Sequence, residues 1–225
     1  MFKSFRNDEP FVNQRIMVDN HGQILEIGSN DFLREYGVTW TDEIIWKNDL
    51  TDRHGKLKPH VNFLFKKEAE YWNSDLWSDR DKKFFGLKEQ QILMGDFPSL
   101  YLKFIDDVVG HGIYANQKIQ KDDLIGEYTG EFMFDRRRDT LDSGYLIGGY
   151  SRLGRFKWHI DARNNGNYTR FINHSCDPNI KLTQTFFGGQ YRGLVIAAKD
   201  IKLGEQVLMN YGNDYWSGKQ TPVEL

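Results

Sequence analysis

The stretch that decides how this chain is read is "RFINHSCDPNI", residues 170–180. An apolar pair, Phe171 and Ile172, leads into Asn173, His174, Ser175, Cys176 and Asp177, and Pro178 closes the run. A polar run behind an apolar anchor has three chemical readings: a nucleophile with its base, part of a metal site, or a tight turn lining a cofactor pocket. Each reading requires different partners elsewhere in the chain.

The metal reading weakens first. Cys176 is the single cysteine among 225 residues, which leaves no internal disulfide and no zinc site built from several thiolates. The histidines (His21, His54, His60, His111, His159 and His174) never fall at the i, i+4 spacing that sets two ligands on one helix face. No metal is expected. The nucleophile reading needs Cys176 beside His174, and the expectation is that an extended segment holds these two side chains apart. Cys176 is then a small buried residue against the pocket.

The composition is that of an ordinary globular protein rich in aromatics, with 39% apolar, 15% aromatic and 28% charged residues and a net charge of -2. Without a sustained Lys/Arg stripe, direct nucleic-acid binding lacks electrostatic support, and "RRR" at Arg136 to Arg138 reads as a solvated helix face. No apolar run reaches the length that spans a bilayer, and the start "MFKSFRNDEPFVNQ" lacks the apolar core of a secretory signal. A soluble protein of the cytoplasm or nucleus, with no membrane partner, is expected.

Punctuation by Gly, Asn and Asp divides the chain into short pieces. "RIMVDNHGQILEIG" (15–28) alternates on either side of "DNHG" and predicts a hairpin, while "NFLFKKEAEYWNSDLW" and "LKEQQIL" carry helical apolar spacing. The Trp and Phe residues of this half read as core. From Leu100 onward strand candidates follow one another: "YLKFID", "GIYANQKI", "DLIGEYTG", "FKWHIDA", "LTQTFF", "YRGLVIAAKDI" and "EQVLMNY". The fold class is therefore β-rich α+β. The expected division is a mixed flanking region over 1–97, a β-rich domain over 98–215 and a tail over 216–225, with the boundary at Phe97-Pro98, where proline disfavours helix in the residue before it.

Four features of the second half belong together: "GHGIYA" (110–115), "GEYTGE" (126–131) with Tyr145 of "DSGYLIGGY", "IDARNNGNYTRFINHSCDPNI" (160–180) and "GEQVLMNYGNDYW" (204–216). In this order they resemble the SET-domain protein lysine methyltransferases. That family's core signature is close to ID-A-x-x-x-G-N-x-x-R-F-I-N-H-S-C-x-P-N, matched here by Ile160, Asp161, Ala162, Gly166, Asn167, Arg170 to Cys176, Pro178 and Asn179. The resemblance covers about Leu100 to Trp216.

It implies a SET domain of short curved sheets with a C-terminal pseudoknot. It also implies methyl transfer from S-adenosyl-L-methionine to a lysine of a histone or another basic protein. By the same resemblance Asn173, His174 and Arg170 hold the cofactor, Gly110, His111 and Gly112 meet its methionine end through their backbone, and Tyr145 contacts it. Tyr211 is the implied catalytic residue and a cofactor contact. Tyr128, also counted as catalytic, lines the lysine channel with Met209, Tyr215 and Trp216.

The chemistry suits such a channel. A lysine amine attacks only when neutral, and with an ordinary pKa of about 10.4 its deprotonation near neutral pH costs about 4 kcal/mol. Desolvation between tyrosines and the approaching sulfonium charge both lower that pKa, so no dedicated general base is obligatory.

Three departures stand out. Asn210 replaces the acid that usually precedes the catalytic tyrosine. Met209 stands where Phe or Tyr biases the number of methyls added, which points to di- or trimethylation. No cysteines are present for the zinc modules that wall the channel in many nuclear members, so "YGNDYWSGKQTPVEL" is the candidate wall, unless Tyr215 and Trp216 simply pack on the core. This compact architecture also resembles bacterial or viral versions that act on chromatin. Asp106, Asp107, Asp122 and Asp123 are candidate attractors for a basic tail. Two other functions stay open: a catalytically inactive SET-fold binding or scaffold module, and a methyltransferase for a non-histone protein.

Overall fold

The computed structural model describes residues 15–74, 78–134, 144–154 and 156–216. The alternation around "DNHG" folds as a hairpin of β1 (Arg15–Asn20) and β2 (Gln23–Gly28), turned by His21 at φ 54° and Gly22 at φ 90°. Two successive positive φ values mark a type I′ turn, whose twist matches that of the strands it joins. Next comes α1 (Ser29–Tyr36), stopped by Gly37 at φ 67° with its N–H on the Leu33 carbonyl. This helix was absent from the sequence reading, because two turns with one fully buried residue, Phe32, leave too short an apolar pattern.

After β3 (Thr39–Trp40) and β4 (Ile45–Trp46), both helical patterns are realised as α2 (Pro59–Trp72) and α3 (Asp79–Met94). Pro59 sits in the first turn of α2, where its missing N–H costs nothing, and the Ser78 side chain caps α3 by accepting from the Asp81 N–H. The strand-rich part runs β5 (Leu100–Asp106), β6 (Gly110–Ala115), β7 (Leu124–Tyr128), β8 (Glu131–Phe134), β9 (Leu146–Tyr150), β10 (Lys157–Asp161) and β11 (Asn165–Gly166). A 3-10 turn at Tyr168–Phe171 leads to β12 (Asn173–His174), then β13 (Ile180–Phe187), β14 (Gln190–Ala197), β15 (Leu208–Met209) and the short α4 (Asn213–Trp216). The expected strand in "EQVLMNY" shrinks to two residues, because its neighbours bond to two different partners.

Five small sheets result among the described residues, in the orders β2-β1-β5-β6, β4-β8-β10-β9, β13-β14-β7, β11-β3 and β12-β15. The first half is stitched into the second: β1 runs parallel to β5, β3 pairs with β11 and β4 with β8. One core cluster joins β1, α1, β5 and β6 around Phe32, Leu102 and Ile113. The other is aromatic, with Trp158 stacked on Phe132 and Tyr191 and with Phe65 of α2 packed beside them.

The implied knot is visible in the backbone. Residues 205–209 bond on one side to β6, through Ala115 N–H to Glu205 and Val207 N–H to Ile113, and on the other to Ser175 and Asn179. The Asn179 side chain closes this threading, donating to the Gln206 carbonyl at 2.7 Å and accepting from the Leu208 N–H at 2.8 Å. Arg136 to Arg138 and residues 217–225 lie outside the described residues. No described helix is long and apolar enough to cross a membrane.

Candidate active site

The signature residues work first as local scaffolding. Asn167 caps the 3-10 turn, its Oδ1 accepting from the Thr169 N–H at 3.0 Å while its Nδ2 donates to the Glu127 carbonyl at 3.0 Å. Gly166 is small because a Cβ there would lie 3.0 Å from the Ala162 Cβ, and Arg170 Nε donates to the Ala162 carbonyl at 2.9 Å. These ties aim residues 171–174 at β6, where Asn173 Nδ2 donates to the His111 carbonyl at 3.0 Å.

That convergence borders a cavity of about 980 Å³. Its wall includes Gly110, His111, Tyr145, Arg170, Asn173 and His174, and Tyr211, Tyr215 and Trp216 complete the C-terminal side. Nine expected residues from four distant segments thus meet at one place. Tyr215 and Trp216 stand on the cavity wall against Tyr211, with ring centroids 4.6 and 6.2 Å away.

His174 and Tyr211 are locked together. The Tyr211 N–H donates to His174 Nδ1 at 3.0 Å, and the Tyr211 hydroxyl donates to the Ile172 carbonyl at 2.8 Å. Burial lowers the pKa of His174, so the ring is neutral near pH 7. A neutral imidazole has one donor and one acceptor; with Nδ1 accepting, the proton sits on Nε2. Burial, aided by Tyr215 and Tyr145, raises the pKa of Tyr211, which keeps its hydroxyl protonated. Asn210 holds the turn beyond β15, its Oδ1 accepting from the Gly212 N–H at 2.7 Å.

Cys176 corrects the sequence reading twice. Its thiol is exposed, and its Sγ lies 3.8 Å from His174 Nε2. Side chains two residues apart in extended chain share a face, so proximity is the rule there. The nucleophile reading still fails, because Nε2 already carries a proton and has no lone pair to take the thiol's.

Three expected residues lie off the cavity wall. Tyr128 is only 3% exposed and stands behind it, donating to the Tyr145 carbonyl at 2.8 Å; it supports Tyr145 rather than lining the space. Gly112 is buried, and its missing Cβ makes room for the Gln206 amide and Ile105, whose Nε2 and Cδ1 lie 2.6 and 2.8 Å from that point. Met209 packs against the first core cluster and is not on this wall. Three of the four acids proposed as attractors serve their own turns or surface ion pairs: Asp106 accepts from the Val108 and Val109 N–H groups, Asp123 from the Gln120 N–H, and Asp122 faces Lys181.

Arg170 is the half-buried cation on the cavity wall. Its guanidinium lies 3.9 Å from the centre of the Tyr145 ring and 4.8 Å from that of Phe171, and burial lowers its pKa. Sequence reasoning missed Glu35, Tyr36 and Phe171 on the same wall. Phe171 was legible as an apolar anchor, but nothing in residues 29–37 signals a site.

A family model for the SET domain matches residues 110–212. The H3 lysine-36 specific histone-lysine N-methyltransferase of Debaryomyces hansenii is 30% identical over 120 residues, which is 52% of this chain and 16% of that protein. Histone-lysine N-methyltransferase set1 of Dictyostelium discoideum is 32% identical over 109 residues, 47% of this chain and 7% of that protein. The chain therefore spans a minor part of the curated relatives it matches. The crystal structure of ATXR5 in complex with histone H3.1 shares the fold, with a TM-score of 0.58 at 18% identity over 85% of this chain and 86% of that one. With the matched segment, the threaded strands and the signature in agreement, residues 110–212 of this chain are a SET domain.

Proposed function

We propose that this chain is a protein-lysine N-methyltransferase that uses S-adenosyl-L-methionine and acts on a histone lysine. The observation that carries the reading is the His174–Tyr211 lock, which holds a protonated tyrosine hydroxyl at the wall of the cavity built by the signature. The histone activity in the names of both relatives supports the choice of acceptor.

The cavity's chemistry fits the donor. Arg170 offers a cation for a carboxylate, Glu35 an anion for an ammonium, and the rings of His174 and Trp216, edge to face at 5.0 Å, an apolar corner for a purine. Trp216 Nε1 is buried without a hydrogen-bond partner among the described residues. Its volume of about 980 Å³ lies within the range of small-molecule sites. When bound, the donor supplies an electrophilic methyl on a sulfonium.

This chain's residues orient the acceptor and strip its water. Tyr211 is no general base: its hydroxyl proton is spent on the Ile172 carbonyl and its pKa is raised. What it presents is a fixed oxygen lone pair, suited to weak C–H···O contacts worth about 0.5 to 1 kcal/mol each. In-line positioning contributes more, on the order of 7 to 11 kcal/mol. Tyr128 assists indirectly by fixing Tyr145.

The test is transfer of labelled methyl to core histones and to a total protein extract. Histone labelling is expected, and Tyr211→Phe is expected to lower it about 100-fold, because the lost tie to Ile172 lets the ring drift. Equal labelling by the variant refutes the role of Tyr211. Label confined to the extract moves the acceptor away from histones, and donor binding without any transfer leaves a binding module.

A further inference from the structure

The flanking helix α1 ends at the cavity, outside the segment that matches the SET domain. Its anchor is Phe32, which is fully buried with ring centroids 4.7 Å from Trp40 and 5.9 Å from Phe171. Gly37 stops the helix immediately after Tyr36, so the last helical residue stands at the rim. The Tyr36 ring meets His111 edge-on at 5.1 Å and Phe171 at 5.3 Å, joining two segments that are distant in sequence.

Beyond this ring lies a second cavity of about 770 Å³, walled by the β1–β2 hairpin, α1 and β5. The two cavities share three residues, Glu35, Tyr36 and His111. Tyr36 thus stands between the two spaces.

We propose that α1 is the end wall of the donor cavity and that Tyr36 is the positioning residue that closes it off and holds His111 against the bound donor. This rests on the donor-binding reading above. The ring carries the effect: it makes both aromatic contacts, so the hydroxyl is dispensable. An unwalled site leaves one end of the donor in water and lets the His111 segment move, which weakens binding before it affects chemistry.

The experiment is calorimetric titration of the full chain with S-adenosyl-L-methionine and with S-adenosylhomocysteine. It compares wild type with Tyr36→Ala, Tyr36→Leu, Tyr36→Phe and a control, Leu33→Ala, whose side chain is exposed on the same helix. Loss of the ring's contacts with His111 and Phe171 predicts affinity about tenfold weaker in Tyr36→Ala and Tyr36→Leu, with Tyr36→Phe and Leu33→Ala within about twofold of wild type. In steady-state assays the KM for the donor rises in the Ala and Leu variants while the KM for histone and kcat hold. Tyr36→Leu keeps most of the volume and provides the answer if Tyr36→Ala does not fold. Unchanged donor affinity together with a lowered melting temperature makes Tyr36 a packing residue and overturns the proposal. Failure of wild type to bind either ligand overturns the donor reading itself, and this proposal with it.

Discussion

Two segments bring residues to the same cavity by different physics. Residues 160–180 do so through polar ties to backbone: Asn167 to Glu127 and Thr169, Arg170 to Ala162, Asn173 to His111, Asn179 to Gln206. Residues 29–37 do so through ring packing, with Phe32 wedged between Trp40 and Phe171 and Tyr36 laid on His111. A polar tie demands one residue type at one place and so leaves a readable motif. Ring packing accepts several apolar residues and leaves almost none.

Substitutions on the two sides separate these modes. The largest effect on stability is expected on the packed side. Phe32→Ala removes a fully buried ring from the first core cluster and should cost about 4 kcal/mol in denaturant unfolding; a loss below about 1 kcal/mol would mean that α1 is docked only loosely. On the polar side, Asn167→Ala removes a cap and strands the buried Thr169 N–H, for about 2 kcal/mol. Its signature should be a shift in the unfolding midpoint at unchanged slope, with Tyr36-dependent donor affinity preserved if the two devices are independent.

The smallest effect is a pH dependence. Burial holds the pKa of His174 below its ordinary value in the folded state, so the unfolded chain takes up the proton first. The lock's contribution is therefore complete above the ordinary histidine pKa of about 6.5 and is lost as the pH falls below it. Melting curves of wild type and His174→Gln should differ most at pH 7.5 and converge toward about pH 5.5. A gap that widens in acid would contradict the neutral ring with Nδ1 as acceptor.

Much of the site was legible because its chemistry sits in adjacent residues. Asn173 and His174 were readable in one glance, and Tyr211 and His111 followed by their place in the order of motifs. Tyr128, Gly112 and Met209 lie off the cavity wall. An alternating strand tells which residues share a face but not which face meets the cavity, and that depends on what packs behind: Gln206 and Ile105 behind Gly112, the first core cluster behind Met209. The placing of Cys176 failed for a simpler reason, the two-residue period of extended chain.

By itself the sequence determined the hairpin at "DNHG", both long helices, the run of short strands and the signature whose side chains bond their own neighbourhood. These are local devices, written in turn residues, apolar period and caps. Only the tertiary structure decided that β1, β3 and β4 of the first half pair with strands of the second. It alone threaded residues 205–209 between β6 and the signature, and placed Tyr36 as a wall. Strand pairing and ring packing across more than sixty residues depend on the burial that all the segments achieve together, and no window of sequence contains that information.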